Sequence, residues 1–136
     1  MPLMVLTTAV LTVNSNNFAQ WASKNEITAE VEEKDVTVFT SLGWKEVLGG
    51  LKSGSVASTL KNDFAASALD SILWPLFGLV VPWSSKASSA AVSATNPLYS
   101  GSLLVKNLTP ISGAPGDVNE ASYTWPTSGA ITRATS

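Results

Sequence analysis

The stretch Gly43–Asp63 reads GWKEVLGGLKSGSVASTLKND. Its first part continues a loop, Ser41–Ser53, that carries Leu42, Trp44, Val47, Leu48 and Leu51 between glycines read as hinges. At Gly54 it gives way to a strand-like run, Ser55–Leu60, in which Val56 and Leu60 are apolar against polar Ser55 and Thr59. Loops ordinarily lie in water and are polar. An apolar loop therefore predicts a docking surface for another chain.

Downstream of this stretch, Asn62 or Asp63 has the chemistry of a helix N-cap. Ala65, Leu69, Ile72, Leu73 and Leu76 then fall at helical spacing, which predicts one helix over roughly Asp63–Phe77, ended by Gly78. Upstream, Glu26–Glu33 alternates, with Ile27, Ala29 and Val31 pointing one way and Thr28, Glu30 and Glu32 the other. This predicts a strand with one buried face and one wet, acidic face. Leu6–Val13 is a further strand candidate, followed by turn chemistry at Asn14–Asn17. Lys34–Thr40, Leu79–Ser84, Leu98–Leu108, Val118–Trp125 and Ala130–Thr135 complete the set, with a turn expected at Pro126–Gly129. The expected fold is mainly β: a β-sandwich or half-barrel of about seven or eight strands with one flanking helix. No repeat or linker interrupts it, so residues 1–136 read as one domain with an assembly loop at 41–53.

Composition excludes more than it identifies. Only 13% of the 136 residues are charged, about half the usual share, and Ser, Thr and Ala fill much of the rest. Such a surface suits a protein that hides its exterior against copies of itself. The net charge is −2 with no run of cations, which argues against a phosphate-binding surface. There is no cysteine and no histidine. Thiolate and imidazole metal sites and the usual Ser-His-Asp and Cys-His triads are thereby excluded, and no enzyme activity or cofactor is expected. Met1–Val13 lacks a secretory pattern, and Ile72–Trp83 falls short of the roughly 20 residues a membrane-spanning helix needs. A cytoplasmic origin without a membrane role is expected.

The acidic group Glu30, Glu32, Glu33 and Asp35 could suggest paired catalytic carboxylates, but such pairs work only where a cleft separates their pKa values. On an open strand face they are solvated side chains. Lining a pore that carried DNA, they would repel phosphates and let the polymer slide. Gly49–Gly50 followed by Lys52 and Ser53 lacks phosphate-loop spacing. The five tryptophans read as core or interface anchors, and Trp44, in the glycine-flanked loop, as an interface hot spot.

The acidic strand Ile27–Glu33, then Asp35-Val-Thr-Val-Phe-Thr, then Trp44-Lys-Glu-Val-Leu-Gly-Gly-Leu-Lys-Ser-Gly, then a strand into Asn62-Asp63 and a helix, together resemble the tail tube protein of long-tailed bacteriophages. Ala94-Thr-Asn-Pro-Leu-Tyr, Gly116-Asp117 and Thr124-Trp-Pro-Thr-Ser-Gly are similar to segments of small tail proteins of actinobacterial phages. The resemblance implies a structural virion protein, assembled in the host cytoplasm as stacked hexameric rings that form a DNA-conducting tube. It assigns Ser41–Ser53, with Leu42, Trp44, Val47, Leu48 and Leu51, to contact between rings. Glu30 and Glu32 become candidates for the lumen face. The implied partners are further copies of the chain and other tail or head proteins, with DNA as passing cargo only. A capsid decoration or head–tail connector protein with the same sandwich is the alternative. A carbohydrate-binding module would need an exposed aromatic platform on one sheet, and the sequence singles none out.

Overall fold

The computed structural model describes residues 3–136, so Met1 and Pro2 of the first apolar run lie outside the described residues. Among these residues the chain forms seven strands and one short helix. In order they are β1 (Val10–Val13), β2 (Asn16–Asn17), β3 (Ala22–Asp35), β4 (Val47–Lys61), α1 (Leu69–Leu73), β5 (Val80–Lys86), β6 (Leu98–Leu104) and β7 (Glu120–Ala134). The strands pair antiparallel in the order β2-β1-β5-β6-β7-β4-β3. The mainly β architecture expected from the sequence is the one found.

The sheet curls back on itself. Asn25 of β3 donates through Nδ2 to Ser85 Oγ of β5 at 2.7 Å, although β6, β7 and β4 lie between those strands in the sheet. The strand that makes the corner is β7. Glu120–Pro126 pairs with Lys61–Ser55 of β4, and Thr127–Ala134 pairs with Leu103–Leu98 of β6. The sequence led us to expect a turn at Pro126–Gly129; instead the strand runs through and changes partners there. A proline cannot donate to a ladder, and Pro126 stands at the handover. Gly129 has φ +87°, a conformation costly for other residues, and lies beside the register shift opposite Gly101.

Apolar side chains fill the concave face. Val56 and Leu60 of β4, Val81 and Trp83 of β5, and Tyr123 and Trp125 of β7 are buried with Leu11, Val13 and Phe18, and Leu69, Leu73 and Leu76 pack into the same cluster. Tyr123 and Trp125 stack at 5.2 Å, and their polar ends leave the core to hold a loop. Trp125 Nε1 donates to Asn107 O at 3.1 Å, and Tyr123 Oη donates to Thr109 O at 3.0 Å. A buried Tyr or Trp needs such a partner. Glycine also makes room where strands approach closely. A Cβ on Gly54 would come within 2.6 Å of Ile131 Cδ1 and 2.8 Å of the Thr28 carbonyl oxygen.

The helix is shorter than the expected span Asp63–Phe77. It occupies Leu69–Leu73 and is followed by a 3-10 turn at Trp74–Leu76. Proline lacks the N–H for an α-helical bond and clashes with the carbonyl four residues earlier, so Pro75 tightens the last turn. At the other end Ser67 has φ +61°, which breaks the helical path. Asp63 caps a preceding turn instead: its Oδ1 accepts the Ala65 N–H at 3.0 Å, and its Oδ2 accepts Trp21 Nε1 at 3.1 Å. These two bonds, the Ala65 one first, hold the Asp63 carboxyl below its ordinary pKa. The first strand also starts later than read, at Val10 rather than Leu6.

Candidate assembly surface

The quoted stretch proves to be one side of a projecting β-arm. Its loop portion ends at Glu46, and Val47–Ser53, read as loop, is the first half of the 15-residue strand β4. β3 and β4 pair from Ala22↔Leu60 out to Asp35↔Val47, and a 3-10 turn at Phe39–Ser41 lies in the tip that joins them. The paired glycines are not hinges. A Cβ on Gly49 would sit 3.2 Å from Val31 Cγ2, and one on Gly50 would sit 3.2 Å from Lys34 Cε and 3.3 Å from Glu32 Cβ. They let neighbouring side chains of β3 lie flat across the ribbon. A register shift between Val31 and Glu33 sets two residues of β4, Gly50 and Leu51, against Glu32 alone. Such a bulge bends and twists the arm.

Beyond Thr28 both faces of the arm are exposed. The expected buried face of β3 therefore covers only its inner half, where Ile27 packs against the core. The reason is that, among the described residues, no other strand or helix covers the outer half. Its exposed apolar residues include Leu42, Trp44, Val47, Leu48 and Leu51, with Trp44 and Leu51 each 79% exposed. Val31, Val36, Val38 and Phe39 add to the same surface. Contiguous apolar exposure of this kind marks an interaction site.

The arm's charges are partly cancelled within the chain. Lys34 pairs with Glu32, and Lys45 pairs with Glu33 at 2.7 Å. Asp35 accepts the Thr37 N–H at 2.9 Å, and the Thr37 side chain and N–H together hold its carboxyl below the ordinary range. Glu30 and Glu46 have no ion pair among the described residues. Glu30 and Glu32 alternate along β3 and point to the face opposite Ile27, so of the two only Glu30 presents an uncompensated charge.

Two further features join this surface. Among the described residues β3 has β4 on one flank and no strand on the other, which leaves the long edge a template for pairing with another chain. A second apolar patch, missed in the sequence, lies after the helix. Trp74 and Phe77 stack at 5.8 Å and are exposed together with Phe64, Leu79 and Val80. Its signal was available: two aromatics three residues apart, off the apolar stripe of the helix. Trp21, Trp83 and Trp125 are core residues, whereas Trp74 joins Trp44 on the surface.

No known family pattern matches this sequence, and no curated protein matches it. Solved structures do. The chain is similar to a chain in the virion of a native gene transfer agent particle, with a TM-score of 0.72 and 17% identity over 92% of this chain and 94% of the other. It is also similar to a chain in the tail of an empty gene transfer agent particle, computed with helical refinement and C6 symmetry. That match has a TM-score of 0.64 and 17% identity over 82% and 81% of the two chains. The fold is shared with both. Among the described residues no acidic group is arranged to hold a metal ion, and no helix is long and apolar enough to cross a membrane.

Proposed function

We propose that this chain is a non-enzymatic virion protein that polymerises as stacked hexameric rings into a tail tube conducting DNA. The observation that carries the reading is the projecting arm, exposed on both faces and tipped with Leu42, Trp44, Val47, Leu48 and Leu51, on a fold shared with a chain from a C6-symmetric tail. A monomer gains nothing from such an arm, whereas a ring stack buries it against the next ring. The open edge of β3 supplies the second contact, continuing the sheet into a neighbouring subunit. Interfaces of permanent assemblies commonly exceed 2,000 Å². The whole chain serves as one such building block, assembled in the host cytoplasm, and the C-terminal motifs make actinobacterial phages its closest setting in our reading. Other tail or head proteins cap the tube.

Negative-stain microscopy of the purified protein tests this directly. Tubes or stacked rings are the expected result, and a population of monomers at high concentration would overturn the reading. The alternative is a capsid decoration or head–tail connector protein with the same fold. Knobs bound to capsids, without tubes, would select it.

In the tube, the inner part of the arm, with Glu30 and Glu32, faces the lumen, and the uncompensated carboxylate of Glu30 keeps DNA from adhering. The Glu30→Lys, Glu32→Lys variant is then expected to form normal tubes that slow or block DNA ejection. Normal infectivity of particles carrying it would remove the lumen role.

A further inference from the structure

The open mouth of the half-barrel is a cleft of about 560 Å³ whose lining includes Ile27, Ala29, Ile131, Tyr99, Lys86 and Arg133. Its floor is apolar, and no acidic side chain lines it. Arg133, the only arginine in the chain, has no ion pair among the described residues. Lys86 Nζ donates to the Ala90 carbonyl oxygen at 2.8 Å and so stays at the rim. An apolar floor edged by cations fits a partner that offers apolar groups beside a carboxylate.

The same chain carries that partner. Of the arm's acids, Glu32 and Glu33 are ion-paired and Asp35 is held by Thr37, while Glu30 sits at the base. Glu46 is left near the tip. The Val36 N–H donates to its carbonyl oxygen at 3.0 Å, which continues the ladder, so Glu46 and Leu48 alternate onto one face. Lys34 shares that face, already neutralised by Glu32.

Glu46 cannot reach its own cleft. Asp35, at the end of the ladder, lies six positions along β3 from Ala29, in the cleft wall. At about 3.3 Å per residue that separation is about 20 Å. The geometry points to a second copy of this chain as the occupant: Glu46 and Leu48 of one subunit's arm seat in the cleft of the next, with Glu46 meeting Arg133. Arm and cleft are different surfaces of one chain, so the contact is head-to-tail. Such contacts build rings and open stacks rather than closed pairs. The inference rests on the tube reading and names where the arm lands.

A charge swap tests it. Arg133→Glu and Glu46→Arg are each expected to raise the critical concentration for polymerisation at least about tenfold, because like charges replace an attracting pair. The Arg133→Glu, Glu46→Arg double variant is expected to recover most of the loss, and the wild-type polymer should weaken with added salt. Thermal melting shows that each monomer is folded; if a reversal unfolds it, Arg133→Gln and Glu46→Gln are compared in its place, with the same direction expected. Wild-type tubes indifferent to every substitution, or a double variant no better than the singles, overturn this contact alone. A wild-type protein that stays monomeric overturns the tube reading and this contact with it.

Discussion

A Trp44→Ala, Leu48→Ala double variant is expected to remain folded and to stay monomeric at concentrations where the parent protein forms tubes. Both side chains project from the arm into solvent, with Trp44 79% and Leu48 63% exposed. Neither belongs to the buried cluster, so their loss takes nothing from the core. In the polymer the cost is different. Burying one large apolar side chain contributes about 1.5–3 kcal/mol. Two of them account for about 3–6 kcal/mol per contact, or roughly 10² to 10⁴ in affinity. Sedimentation and micrographs read the polymer, and a melting curve reads the fold. Unchanged tubes would show that the arm is not the contact. A melting temperature below that of the parent, with both measured under conditions that keep the parent monomeric, would show instead that the arm packs against its own subunit.

Much of the strand content was legible in the sequence because alternation of apolar and polar residues directly reflects a half-buried strand. Val56 and Leu60 against Ser55 and Thr59, or Tyr123 and Trp125 against Ser122 and Thr124, alternate because one face meets the core. The misreadings cluster where that cause is missing. Val47–Ser53 reads as a loop because its glycines resemble breaks and its apolar residues follow no period. Exposed on both faces, this ribbon has no buried side to impose one, and it is held by its pairing with β3. Pro126 and Gly129 looked like a turn because local signals say nothing of a strand that changes partners. The helix was overextended because its apolar stripe continues past Pro75, where backbone chemistry rather than side-chain pattern decides. The exposure of Trp44 is legible for a simpler reason: a tryptophan between glycines has nothing local to bury it. The cleft could not be found this way, since its walls come from β3, β5, β6 and β7 and exist only once the sheet has curled.

That curl has a fulcrum, and Trp125→Ala is expected to remove it. The indole is fully buried, stacks on Tyr123, lies opposite Val56 in the ladder, and immediately precedes the point where β7 leaves β4 for β6. Its Nε1 also holds the Asn107 carbonyl. Truncating a buried tryptophan costs about 3–5 kcal/mol, against a total of about 5–15 kcal/mol for an ordinary domain. Trp125→Phe keeps an aromatic ring in the stack but leaves the Asn107 carbonyl without that donor, and should cost less, about 1–3 kcal/mol. Polymerisation would mask both losses, because assembly stabilises the folded subunit by mass action. The comparison therefore belongs in the Trp44→Ala, Leu48→Ala background, by urea unfolding of the monomer. A loss below about 1 kcal/mol for Trp125→Ala would mean that the corner holds without the indole. A loss of the expected size would tie assembly to the core: the strand that β7 hands over at Pro126 is β4, and β4 runs on to become one side of the arm.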